Sequence, residues 1–179
     1  MKISRIIIAA AVALAFGLQP AFAADPKKGG TLKVIGTANP RHFNAAVQSG
    51  VATMEPGAQL FATLLRIDGK FRPHPYLATE WPASDDGLSM TLKLVKGAKF
   101  HDGHEITSED VAFSLKANRD NHPFKAMFAP LAEVETPDPH TVILKLKQPH
   151  PAIMLALTAP LSAIIPKHVY GDGQNIKKH

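Results

Sequence analysis

Lys99 to Leu115 reads KFHDGHEITSEDVAFSL, a turn followed by a capped helix. Phe100 closes an extended run, His101-Asp102-Gly103 has the composition of a turn, and Thr107 opens a helix whose first turn carries Glu109 and Asp110. Those acids suit the positive end of a helix dipole. With Thr107 as N-cap, Asp110 falls at N3 as a shortened capping box, and Ile106 and Val111 occupy the positions of a hydrophobic staple. Val111, Ala112, Phe113 and Leu115 then give the helix an apolar face that has to pack on something.

On either side of this helix lie two strand patterns. Ser89 to Lys96 alternates Met90, Leu92 and Leu94 against Thr91 and Lys93, and Gly97 turns the chain after it. Beyond the helix, Asn121-His122-Pro123 is a stop, Phe124 to Leu131 a short apolar stretch and Pro137-Asp138-Pro139-His140 a turn. Thr141 to Lys147 places Val142, Leu144 and Leu146 on one face of a second strand. Strand, helix and strand in this order indicate an α/β or α+β layer. Pro151 to Ala163 is apolar enough for a buried helix.

Upstream, Thr31 to Thr37 reads as a short strand, with Leu32 and Val34 alternating around Lys33 before Ile35. From Gly36 to Gly57 no period is sustained, and long connections of this kind are usually functional or disordered; a surface loop of no consequence is the competing reading. Gln59 to Arg66 has Leu60, Phe61, Leu64 and Leu65 at helical spacing. Ile67 to Lys70 then forms a turn and Phe71 to Pro75 is extended, since each proline removes a donor and biases its predecessor away from helix. Trp81, the single tryptophan, suits a core or subdomain anchor better than a ligand platform.

The totals exclude several classes. With 179 residues, 45% of them hydrophobic, the chain can build one core. It has no cysteine, hence no disulfide, thiolate metal site, cysteine nucleophile or lipidated cysteine. Its 20 basic residues against 15 acidic ones are scattered without aromatic interleaving, which argues against nucleic acid as a partner. Met1 to Ala23 reads as a secretory signal peptide with Lys2 and Arg5 first, an apolar run from Ile6 to Leu18, and Ala21-Phe22-Ala23 as the cleavage site. That run is shorter than the roughly 18 residues needed to span a bilayer.

His101-Asp102-Gly103-His104-Glu105 places two imidazoles and two carboxylates within one turn. Side chains so closely spaced on a turn need a further ligand from elsewhere to hold a metal, and no H-E-x-x-H pair occurs. The segment is therefore read as a structural turn, with no metal and no cofactor assigned. No nucleophile with a base and no phosphate-cradling glycine loop appears, so catalysis is not expected.

The same residues carry a resemblance. F-H-D-G followed by T-x-E-D-V-x-F-S-L from Phe100 to Leu115, the run Pro75 to Leu88 with P-x-L-A-x-x-W and S-D-D-G-L, and the segment Ile164 to Gly171 together resemble the family 5 extracellular solute-binding proteins, the peptide- and nickel-binding receptors of ABC importers. The resemblance covers nearly all of the chain after the leader. It implies an α/β fold of the periplasmic binding protein type II kind, here the first strand of lobe one plus the extra α+β domain. The implied division is 1–23 signal peptide, 24–52 strand and ligand-cleft loop, 53–171 extra domain and 172–179 truncated linker. Gln48, Ser49, Gly50 and Val51 are implied as the ligand-contacting positions, largely through backbone. Ser49 departs from the acidic residue of many peptide-binding relatives, which weighs against a strictly peptide ligand. The implied function is periplasmic capture of a peptide or peptide-like solute for an inner-membrane ABC permease. The alternatives are a truncated secreted interaction module and a metal-dependent secreted enzyme built on His101 and His104.

Overall fold

A computed structural model describes residues 28–36, 38–158, 162–172 and 176. The signal peptide expected at 1–23, Thr37, and most of the segment 172–179 lie outside the described residues. Two compact units are distinguished, Met1–Ile35 and Gly36–His179. In the first, the strand expected from Thr31 does not form. Residues 31–36 have no regular structure, and Leu32, Val34 and Ile35 are 87%, 79% and 96% exposed. A run of β formers becomes a strand only when a neighbouring backbone completes its ladder, and none among the described residues does so.

The second unit is built on an antiparallel sheet of four strands in the order β3-β4-β6-β5. These are β3 (Ala78–Glu80), β4 (Ser89–Leu94), β5 (Leu131–Asp138) and β6 (Thr141–Leu146). Met90 faces Leu144 and Leu92 faces Val142 across β4 and β6, all four buried, so the alternation of both strands turns one face inward. The expected helix is α2 (Ser108–Asn121), and it closes the core from that face with Val111 and Leu115. Trp81 is half-buried and packs against this core.

In this unit, three elements before Pro151 differ from the sequence expectation. The long connection after Gly36 contains a helix, α1 (Val51–Leu60), although Pro56 and Gly57 stand inside it. Gly57 is buried against the chain before the helix: a Cβ there would lie 2.7 Å from the Phe43 carbonyl oxygen and 2.9 Å from the Ala45 Cβ. Glycine is what permits this approach. The helix expected over Gln59–Arg66 is replaced by the end of α1 and by β1 (Leu65–Ile67), which pairs with β2 (Pro73–Pro75). Here neighbouring segments take the backbone acceptors. Ile164, Leu77 and Ala78 donate to the carbonyls of Ala62, Thr63 and Leu64 at 2.8, 3.4 and 2.8 Å. The third difference is β5, an edge strand whose register shifts twice against β6 and whose outer positions include Glu133 and Glu135.

Between β1 and β2 the Asp68 carboxylate accepts from the backbone N–H groups of Lys70 and Arg72 at 2.8 and 2.9 Å, which lets Phe71 adopt a φ of 58°. In the apolar segment after Pro151 the helix is α3 (Ile153–Thr158), shorter than expected; residues 159–161 lie outside the described residues. α4 (Lys167–Tyr170) follows. No helix among the described residues is long and apolar enough to cross a membrane.

Candidate functional site

The expected ligand-contacting positions stand at the junction between a buried strip and an exposed helix start. Asn44 begins the strip, its side-chain oxygen accepting from Ala46 N–H at 3.0 Å and its amide donating to the Ile176 carbonyl at 3.4 Å. Ala45, Ala46 and Val47 are buried in a small cluster with Ala163 and Ile165, flanked by Phe61, Phe113 and Tyr170. The chain then emerges: Gln48 and Ser49 are half-buried, Gly50 and Val51 exposed. Gly50 is the N-cap of α1, its carbonyl accepting from Thr53 and Met54 N–H at 2.9 Å each. Apart from Gly50 and its two chain neighbours, no atom lies within 4 Å of the position a Gly50 Cβ would take, so the backbone there fronts open space.

Beneath this segment runs a polar stripe of α2 that sequence reading did not single out. Ser114 and Asn118 are fully buried and His122 is 1% exposed, spaced one helical turn apart. Ser114 Oγ donates to the Asp110 carbonyl at 2.7 Å and accepts from Ile165 N–H at 2.9 Å, tying α2 to the segment that covers the strip. His122 Nδ1 accepts from Phe124 N–H at 3.0 Å, while Nε2 is buried and makes no hydrogen bond of standard geometry with any described residue. Burial pushes the His122 pKa down, opposed by the nearby Gln48 backbone. In the sequence His122 signals only a helix stop.

The turn at His101–Glu105 is as tight as its composition suggests, with Gly103 at φ +91°. Only part of it comes together. Asp102 Oδ2 lies 2.6 Å from His168 Nε2 and 3.3 Å from His104 Nδ1, and the two imidazole centroids are 4.1 Å apart. His168 on the carboxylate, then the His104 backbone N–H, hold the Asp102 pKa down to about 2. Glu105 turns away to accept from Gly97 N–H at 2.9 Å and to pair with His140 at 3.0 Å. His101 takes no part. His168 was missed as a neighbour of this turn because it follows it by more than sixty residues. Separately, an open groove of about 390 Å³ lies beside α2, lined by Glu109, Phe113, Lys116, Arg119, Glu133 and Lys167 among others; Gln48 to Val51 do not line it.

The model of the bacterial extracellular solute-binding proteins, family 5 Middle, matches residues 72–179. The chain belongs to family 5. Its fold is the mixed α/β arrangement of the family 5 periplasmic binding proteins, of which it covers a part. Among curated family members it is 32% identical over 153 residues to the oligopeptide-binding protein AppA of Bacillus subtilis, covering 84% of this chain and 28% of that one. It is 31% identical over 147 residues to the glutathione-binding protein GsiB of Salmonella choleraesuis, covering 80% of this chain and 28% of that one. The chain thus spans little more than a quarter of these family 5 relatives. Solved family 5 structures agree in fold. AppA in complex with a nonapeptide superposes with a TM-score of 0.68 at 29% identity, over 78% of this chain and 28% of that one. NikZ from Campylobacter jejuni in complex with Ni(L-His) gives 0.66 at 28% identity, over 76% and 27%.

Proposed function

We propose that this chain contributes one wall of the ligand cleft in a periplasmic solute-binding component of an ABC importer, and that Gln48, Ser49, Gly50 and Val51 contact the solute. The observation that carries the reading is the contrast at this junction. Asn44 to Val47 are buried and held by Asn44 hydrogen bonds, whereas Gln48 and Ser49 are half-buried, Gly50 and Val51 are exposed, and the space before Gly50 is empty. An anchored strip with an open rim positions backbone donors and acceptors without ordering them anew on binding, which lowers the entropic cost of capture.

The solute we assign is a peptide or peptide-like molecule, supported by the relatives named for oligopeptide and glutathione binding. Delivery follows closure of two lobes about a hinge, with the closed form read by the permease. On this reading the protein is not an enzyme. We assign residues 24–52 to lobe one with its cleft loop and 53–171 to the extra domain, behind a leader removed after Ala23.

The test is thermal stabilisation of the protein by a panel of peptides of two to nine residues and glutathione. A bound solute at about 100 times its Kd adds about 2.7 kcal/mol of stability. Stabilisation by at least one peptide, lost in Gly50→Phe with the ligand-free melting temperature unchanged, supports the assignment. Full retention of binding in Gly50→Phe removes residues 48–51 from the cleft, and no response to any peptide by a protein that holds both walls of the cleft removes the peptide class.

A further inference from the structure

We propose that Asp102, His104 and His168 form a surface site for a divalent transition-metal ion, with zinc as the simplest occupant. Each offers one donor atom, a carboxylate oxygen and two imidazole nitrogens, and all three atoms lie within 4.8 Å of one another. Taken alone, the turn could supply Asp102 and His104 but no third ligand. The fold supplies it by bringing α4 across the turn, so that His168 stands over the same carboxylate oxygen that faces His104.

The distances fit the ion. Donors about 2.0–2.1 Å from a tetrahedral zinc stand about 3.3 Å from one another. The separation from Asp102 Oδ2 to His104 Nδ1 is already 3.3 Å. The contact with His168 at 2.6 Å has to open by a few tenths of an ångström, and the two imidazole nitrogens, within 4.8 Å, have to close. Side-chain torsions absorb both changes, because the Asp102, His104 and His168 side chains are 42%, 65% and 37% exposed. The same exposure leaves the remaining coordination position to water and gives the ion a direct path in.

Backbone geometry preorganises the donors. The turn is held by Phe100 N–H on the His104 carbonyl at 2.9 Å, Gly103 N–H on the Phe100 carbonyl at 3.1 Å and His104 N–H on Asp102 Oδ1 at 3.1 Å. α4 is held independently, by Lys167 N–H on Asp110 Oδ1 at 2.9 Å and by the Lys167–Glu109 ion pair at 2.8 Å. Among the described residues Asp102 is the only polar side-chain partner of either imidazole. Imidazole with carboxylate is a donor set that suits zinc, copper and nickel rather than calcium or magnesium.

The experiment is isothermal titration of the metal-stripped protein with zinc chloride at pH 7.5, with His104→Ala, His168→Ala and His101→Ala beside the parent. The expected result is one saturable site, weakened at least tenfold in both His104→Ala and His168→Ala and unchanged in His101→Ala. His104→Ala removes only an exposed side chain, and its melting temperature without zinc should match the parent's, so the comparison does not depend on a damaged fold. The proposal is overturned if the parent binds no zinc at millimolar concentration, if His104→Ala binds within threefold of the parent, or if His101→Ala weakens binding as much as His104→Ala.

Discussion

Asp110 Oδ1 accepts the backbone N–H of Lys167 at 2.9 Å, across 57 residues of sequence, while its other oxygen caps α2 by accepting the N–H and hydroxyl of Thr107 at 2.9 Å each. One buried carboxylate therefore starts a helix and docks the segment that carries His168. Asp110→Ala leaves two backbone donors without partners and is expected to cost about 3 kcal/mol, since hydrogen bonds to a charged group contribute about 1.5–3 kcal/mol each. Asp110→Asn, which keeps one acceptor, should lose less, and Thr107→Ala about 1 kcal/mol. Urea denaturation of the three variants checks the order, and a neutral Asp110→Ala would show that the cap and the docking contact are not coupled to stability.

Gly57→Ala is expected to destabilise by about 1–3 kcal/mol through overpacking. Elsewhere in a helix the same change gains up to about 1 kcal/mol. The sign reverses here because the new methyl meets the Phe43 carbonyl oxygen at 2.7 Å. Relief requires α1 to shift from Phe43 and Ala45 at the start of the strip, so solute affinity should fall with stability. A variant as stable as the parent would show that the strip yields freely.

His122 predicts a pH dependence. Its folded pKa lies below the ordinary value of 6.5 because burial disfavours the charged ring. The unfolded chain therefore binds the extra proton first, so the stability contribution is complete above about pH 6.5 and is lost as pH falls below it through the folded pKa. The melting temperature should drop between pH 7.5 and 5.5, and His122→Gln should flatten that part of the drop. An equal drop in both proteins would assign it to other groups.

Leu92→Ala removes a fully buried side chain facing Val142 in the centre of the sheet. The cost should be about 2–5 kcal/mol, depending on how far the site collapses. Equilibrium unfolding measures it directly, and a cost below 1 kcal/mol would mean that β4 and β6 do not form the core.

Features encoded within a few residues could be read from the chain. The Thr107–Asp110 cap, the alternation of β4 and β6 and the stop at His122 depend on spacing alone, and all three stand in the structure. Where reading failed, distant backbone decides. Leu60 to Leu65 have spacing compatible with a helix, yet the carbonyls of residues 62–64 are taken by residues 77, 78 and 164. α1 was hidden by Pro56 and Gly57, and the reason for Gly57 lies in its contact with Phe43. β5 was hidden by its two register shifts. At the turn proposed to hold a metal, Asp102 and His104 lie two residues apart, but His168 reaches them only through the fold. The segment at Gln48–Val51 came from family resemblance, since no local periodicity marks it.

The hydrogen bond from Asn44 to Ile176 spans 132 residues, and the small cluster it borders joins 45–47 to 163 and 165. Closing so long a loop is entropically slow, so these contacts belong late in folding, after the hairpin of β5 and β6 and the α2 cap have formed. Contacts made late and few in number are also among the first to open. Amide hydrogens at 45–47 and at Ile165 should therefore exchange by a partial opening well below the global unfolding free energy, while those of β4 and β6 exchange only with the whole unit. The rim proposed to meet the solute is thus held firm only while this small cluster stays closed, and a bound solute should slow exchange at 45–47 and Ile165.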